Sequence, residues 1–135
     1  MYKILPHTAD VRILVSSLKV EGLFKEALKG LAEILSPFWK ERKRKKILGK
    51  IKISSLNETT LLIDFLSEVL LNSYAKKAVF KKVDFKEFRN NFLEAEIEGW
   101  LVDGFRKDIK AITYHEAKIS RDKKGRFETV IVCDI

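Results

Sequence analysis

The chain has 135 residues, 46% of them hydrophobic, and carries a formal net charge of +8. This length and composition predict one globular domain, residues 1–135, that buries its own core, and they exclude a disordered chain. No apolar run approaches the roughly 18 residues of a membrane-spanning helix. The apolar part of the N-terminus is too short for a signal peptide, so we expect a cytoplasmic protein.

The first half of the chain predicts two helices, each following a strand. Residues 11–17 alternate apolar and polar side chains, as a strand does. In residues 20–35 the apolar side chains recur at 3.6-residue spacing, which indicates an amphipathic helix. A second strand is expected at 47–54, and Asn57 is a suitable N-cap for a second helix. This repeated strand–helix order is compatible with an internal strand–helix–strand duplication.

The second half of the chain predicts strands. Alternating patterns indicate strands at 78–88 and 92–100, and two more are expected at 108–120 and 127–135. The last of these is apolar on both faces, which is typical of a central strand. The predicted fold class is therefore α+β, a single-domain sandwich of two helices packed on a mixed or mostly antiparallel sheet.

Cys133 is the single cysteine. One cysteine cannot form an intramolecular disulfide, and it excludes zinc sites built from several cysteines. Because the three residues before it, Val130 to Val132, are apolar, we interpret it as a buried and unreactive core thiol.

Two aspartates attract attention because of their positions. Asp10 precedes the first predicted strand, where a turn-forming role is the simplest interpretation. Asp134 follows four apolar residues in a strand that should be buried, and the terminal carboxylate of Ile135 lies beside it in the sequence. Such anions need a positive partner. A lysine or arginine would serve, and so would a hard cation with oxygen ligands, such as calcium, magnesium or manganese.

A second polar group occurs in the predicted strand at 108–120. Strand alternation would place Lys110, Ile112 and Tyr114 on one face and His115 on the other. These side chains could bind phosphate or transfer a proton, or they could simply form a solvated face. His7 precedes Asp10 by three residues, and only a loop would bring the two together.

The basic run at 40–46 is a candidate RNA contact. Lysine and arginine neutralise phosphates and give salt-dependent binding to nucleic acid. A solvated loop explains such a run equally simply. The overall excess of lysine and glutamate is also typical of heat-adapted proteins.

Taken together, four short segments resemble the archease family. They are His7-Thr8-Ala9-Asp10, residues 61–66 with Glu68, residues 109–115, and Asp134-Ile135 at the chain end. The matches keep the family's order and span nearly the whole chain. Three positions depart from its usual pattern: Arg12 stands where glycine is common, Trp100 where an acidic residue is common, and Ser67 where asparagine is frequent.

The resemblance implies a function and a site. Archeases activate the RtcB-type tRNA-splicing ligase by promoting its guanylylation and repeated turnover. Their metal site uses the aspartate of the first motif, the penultimate aspartate and the terminal residue, which correspond here to Asp10, Asp134 and Ile135. The resemblance therefore implies a divalent metal cofactor, a tRNA ligase partner, contact with tRNA through that ligase, and no enzymatic activity of the chain itself.

Other residues near these motifs could assist the site. The candidates for orienting ligands or contacting phosphate are His7, Lys110, Tyr114 and His115. Two alternative functions compete with the accessory role. One is a basic module that binds tRNA directly, and the other is a metal-dependent hydrolase using Asp10, His115 and Lys110.

Overall fold

The computed structural model describes residues 1–6, 10–36 and 45–135. His7 and residues 40–44 of the basic run lie outside the described residues. Ten elements follow one another in the order β1, β2, α1, β3, α2, β4, β5, β6, β7 and β8. Two helices thus pack with antiparallel strands, which confirms the predicted α+β class.

The larger sheet contains the two ends of the chain. Its strands are β1 (Tyr2–Pro6), β2 (Asp10–Ser17), β6 (Ala111–Thr113), β7 (Ser120–Arg121) and β8 (Phe127–Asp134). The spatial order is β1-β2-β8-β6, and β7 also pairs with β8. Strand β8 is therefore central, as its apolar sequence predicted. All of these pairings are antiparallel.

The smaller sheet is a separate antiparallel unit. It contains β3 (Lys46–Ser54), β4 (Ala78–Arg89) and β5 (Phe92–Leu101) in the order β3-β5-β4. Lys50 lies opposite Glu96, and Lys52 lies opposite Glu94. Opposite charges at facing positions stabilise an antiparallel pair, so these pairs favour the observed register of β3 with β5. The single sheet expected from the sequence is thus divided into two.

The helices follow the predicted pattern closely. Helix α1 is Val20–Leu35, and helix α2 is Glu58–Lys76. Asn57 caps α2: its side chain accepts a hydrogen bond from the Thr60 amide, and the Thr60 hydroxyl accepts one from the Asn57 amide. This reciprocal arrangement satisfies two amides at the helix start. Within the described part of the chain, neither helix has the length and apolarity needed to cross a membrane.

A hydrophobic core joins both helices and both sheets. Helix α1 contacts β2 of the larger sheet and β4 of the smaller one. Four phenylalanines lie at the centre of this contact, and the ring centroids of Phe24 and Phe88 are 4.9 Å apart in an edge-to-face arrangement. The other two are Phe65 and Phe85. The core therefore fixes the position of β2, whose first residue is a candidate site residue.

The predicted strand at 108–120 was wrong in its extent. Only Ala111–Thr113 and Ser120–Arg121 are strands, because a turn intervenes in which the amide of Ala117 donates to the carbonyl of Tyr114. Glu116 in this turn has a φ of 60°. A left-handed residue interrupts strand geometry. The predicted alternation fails accordingly, since Ile112 is buried while Lys110 and Tyr114 are both exposed.

Candidate functional site

Strand register brings the two candidate aspartates together. In the pairing of β2 with β8, Asp10 lies directly opposite Asp134. On its other side Asp134 faces Ala111 of β6. Residues directly opposite in an antiparallel pair project from the same face, with Cβ atoms about 4.5–5.5 Å apart. Two carboxylates from opposite ends of the sequence therefore form one pair on the sheet, here called the carboxylate pair.

The carboxylate pair lies where β8 leaves the core. Strand β8 is buried from Ile131 to Cys133, but Asp134 is exposed, while the Asp10 side chain is only 18% exposed. The expectation that Asp134 is buried was therefore wrong, because the strand emerges into solvent at that residue. What makes the arrangement costly is instead the repulsion of like charges at facing positions.

Arg12 supplies a positive charge beside the pair. It lies two residues after Asp10 on the same strand face, and its Nε atom is 3.5 Å from Oδ1 of Asp10. Its Nη1 atom is 2.5 Å from Oε2 of Glu116, in the turn after β6. Sequence reasoning missed both contacts. Strand alternation could have placed Arg12 beside Asp10, but nothing in the sequence places Glu116 there.

The remaining candidate residues of this group are Lys110, Ile135, His115 and His7. The backbone amide of Lys110 donates to the carbonyl of Asp134 at 2.8 Å, so Lys110 is adjacent to the pair. Ile135 is half-buried and packs against the core. His115 is exposed, and its backbone amide donates to the hydroxyl of Thr113 at 3.2 Å. His7 is outside the described residues.

Tyr114 belongs to a different contact. Its hydroxyl donates a short hydrogen bond to Oδ1 of Asp64 on α2, and Oδ2 of Asp64 accepts a second bond from the Ser55 hydroxyl. The hydrogen bond to Asp64 raises the pKa of Tyr114 above its ordinary value, and burial and the carboxylate charge add to this. Tyr114 is therefore a protonated donor that ties the turn after β6 to α2.

Cys133 is fully buried and faces Val11 and Ile112 in neighbouring strands. Burial raises the pKa of its thiol to about 12, and the negative charges of Asp134 and Asp10 contribute to the same shift. Because the thiolate is the reactive form, this thiol is inert at neutral pH. The interpretation of Cys133 as a buried core residue is confirmed.

We predict that Cys133 resists alkylation until the chain unfolds. Iodoacetamide at pH 8 should label the folded protein roughly a hundredfold more slowly than the chain in guanidinium chloride, since a buried thiol reacts only through opening. Mass spectrometry over time gives both rates, and the denatured sample is the internal control. Rapid labelling under native conditions would show that this end of β8 is open to solvent.

The donor set of the carboxylate pair fits a hard cation. Aspartate side chains and main-chain oxygens provide oxygen ligands only, which suits calcium, magnesium or manganese rather than zinc. Within residues 1–6, 10–36 and 45–135, no group of three or more His, Cys, Asp or Glu side chains is placed to hold a metal ion. The described side chains at this place thus offer two carboxylates, those of Asp10 and Asp134.

Only the last part of the predicted basic run belongs to the described residues. Lys45 and Lys46 are exposed, and the ammonium group of Lys46 is 3.0 Å from a carboxylate oxygen of Glu98. An exposed pair of this kind is weak and leaves the lysine able to contact phosphate. A role of the run in RNA binding stays a prediction.

Comparison with known proteins finds a family model that matches nearly the whole chain. Residues 2–135 match the model of the archease protein family (MTH1598/TM1083). The protein archease of Methanosarcina mazei is 27% identical, over 99% of this chain and 95% of its own length. The archease of Pyrococcus abyssi is 26% identical, over 96% of this chain and 94% of its own length.

Two solved structures share the fold. The solution structure of Methanobacterium thermoautotrophicum protein 1598 has a TM-score of 0.70 at 21% identity, covering 99% of this chain and 98% of that one. A crystal structure from Thermotoga maritima, described as an archease and possible chaperone, has a TM-score of 0.69 at 23% identity. It covers 100% of this chain and 98% of that one. At these identities the likeness establishes the fold alone.

Proposed function

Because the chain belongs to the archease protein family, we propose that it is a metal-binding accessory protein that activates an RtcB-type tRNA ligase. In this role it promotes ligase guanylylation and repeated turnover during tRNA splicing or RNA repair, and it is not itself an enzyme. The observation that carries the proposal is the direct pairing of Asp10 with Asp134. Two like charges at facing positions are unfavourable unless a cation balances them, and a bound divalent ion would add to the partial balance that Arg12 supplies.

The proposed metal ligands are Asp10, Asp134 and Ile135, the last through its main chain. A divalent ion, calcium or else magnesium or manganese, supplies positive charge that balances these anions. His7, Lys110, Tyr114 and His115 are proposed to orient the ligands or contact phosphate. For Tyr114 this action is indirect, since its hydroxyl is held by Asp64.

The chain's own residues make the site suitable for presentation to a partner. Asp134 is exposed at the end of a strand whose preceding residues are buried, so its backbone position is fixed while its carboxylate reaches solvent. A rigid element holds a ligand more accurately than a loop does. We propose that the ligase contacts the end of the larger sheet where Asp10 and Asp134 lie. The complex would form in the cytoplasm, and the chain would reach tRNA through the ligase.

The test is reconstitution with an RtcB-type ligase from the same source. Ligase guanylylation and joining of an RNA with a 2′,3′-cyclic phosphate to one with a 5′-hydroxyl are followed with and without the chain. The proposal expects faster guanylylation and several joined products per ligase molecule. A ligase that is active alone and unchanged by the chain would overturn it. RNA turnover by the purified chain alone would favour the hydrolase alternative.

One observation favours the alternative of direct tRNA binding, namely the net charge of +8. A basic module neutralises phosphates, so its affinity for free tRNA should fall steeply as salt rises. Tight, salt-sensitive binding of tRNA that is indifferent to the loss of Asp10, together with no effect on the ligase, would replace the accessory role by this one.

A further inference from the structure

Arg12 lies between two acidic residues at the carboxylate pair. Its guanidinium is 3.5 Å from Asp10 through Nε and 2.5 Å from Glu116 through Nη1. The Arg12 side chain is 30% exposed, so its charge is only partly screened by solvent. The shorter distance makes Glu116 the closer partner. Arg12 thus shares its charge between a proposed metal ligand and a residue of the turn after β6.

The turn after β6 holds Glu116 in a fixed place. Tyr114, at the start of the turn, is anchored to Asp64 of α2. At its end, the amide of Lys118 donates to the hydroxyl of Thr129 at 2.9 Å. Glu116 itself has a left-handed φ of 60°, which is unfavourable for a residue other than glycine. Surrounding contacts must maintain such a backbone conformation, and the ion pair with Arg12 then holds the carboxylate.

On the basis of the proposed metal site, we infer that Arg12 is a built-in counter-cation that competes with a divalent ion for the carboxylate pair. Glu116 is a positioning residue in this scheme. By binding the same guanidinium, Glu116 draws Arg12 away from Asp10 and so weakens the competition of Arg12 with the ion. Arg12 and Glu116 together set the affinity of the site for metal.

Electrostatics gives the direction of the effect. A unit positive charge a few ångströms from a cation site opposes the binding of a divalent ion, even at a high effective dielectric constant. Removal of the Arg12 charge should therefore strengthen metal binding. Removal of the Glu116 charge should weaken metal binding. Without that charge, the Arg12 guanidinium interacts more strongly with Asp10 and opposes the ion there.

The first test titrates calcium alone into the full chain by isothermal calorimetry. Arg12→Gln is expected to bind calcium roughly tenfold more tightly than the wild type. Arg89→Gln is the matched control, because Arg89 forms a similar pair with Glu87 at 2.6 Å in the smaller sheet and its loss changes the net charge equally. Calcium affinity that is unchanged or weaker in Arg12→Gln, with a normal unfolding temperature, would overturn the inference.

The second test separates positioning by Glu116 from direct ligation. Glu116→Gln should weaken calcium binding by roughly three- to tenfold in the wild-type background. Most of that loss should vanish when Arg12 is already Gln, because a residue that acts through another has no effect once its partner is gone. An equal loss in both backgrounds would show that Glu116 acts on the ion directly. Arg12→Lys, which keeps the charge, should bind calcium nearly as the wild type does.

The titrations also distinguish this inference from the proposed function. If the wild type binds calcium, Asp134→Asn does not, and Arg12→Gln equals the wild type, the metal site stands and the competition by Arg12 fails. If the wild type and Arg12→Gln both bind neither calcium nor manganese, the metal site fails, and the role of Arg12 with it.

Discussion

Asp134→Asn should abolish the proposed stimulation of the ligase, while the free energy of unfolding stays the same or rises slightly. The substitution removes one charge of the carboxylate pair and a ligand of the proposed metal site, but it keeps the size of the side chain. Because Asp134 faces Asp10 across the strand pair, relief of their repulsion should stabilise the fold by about 0.5 kcal/mol. Stimulation of guanylylation should fall by roughly a hundredfold or to background, as expected when a metal ligand is lost. Asp10→Asn should lose stimulation to a similar extent, but without the gain in stability, because it also removes the ion pair with Arg12.

The matched control is Asp84→Asn in the smaller sheet. Asp84 faces Glu96 across β4 and β5, so it also belongs to a cross-strand pair of acidic residues. Its loss changes the net charge by the same amount at a different sheet, and stimulation should be retained. Denaturant unfolding and a guanylylation assay on all three variants complete the experiment. Full stimulation by Asp134→Asn would remove the carboxylate pair from the proposed function.

The sequence indicated the two candidate aspartates but not their arrangement. Asp10 and Asp134 were notable because of their places beside strands, yet they are 124 positions apart in the chain numbering. Only the register of β2 with β8 makes them neighbours, and a shift of one residue would place them on opposite faces. Glu116 could not be found at all, because its position depends on a turn with a left-handed residue.

The elements with strong periodicity were predicted well. Helix α1 has the predicted bounds, and Asn57 caps α2 as expected. The short strand β1 was missed. It is an edge strand whose register is set by pairing with β2, so its own sequence need not alternate apolar and polar side chains. The division into two sheets was also missed, because alternation shows which face of a strand is buried but not which strand is its neighbour.

Gly99→Ala should produce the largest loss of stability among glycine-to-alanine changes in the described part of the chain. A Cβ atom at Gly99 would lie 1.9 Å from the carbonyl oxygen of Val79 and 2.7 Å from the Cα atom of Phe80. Both are backbone atoms of the neighbouring strand, so no side-chain rotation relieves the clash and β4 must separate from β5. We expect the free energy of unfolding to fall by about 3 kcal/mol or more, measured by urea denaturation.

Gly104→Ala is the control for that measurement, since a Cβ atom there meets nothing within 4 Å. It should leave stability unchanged or raise it slightly through the lower entropy of the unfolded chain. Equal stabilities of the two variants would mean that β4 and β5 are not paired as described. Asp134→Asn should lose stimulation with an intact fold, whereas Gly99→Ala should lose it only in proportion to the unfolded fraction. That contrast separates the chemistry of the carboxylate pair from the packing that positions it.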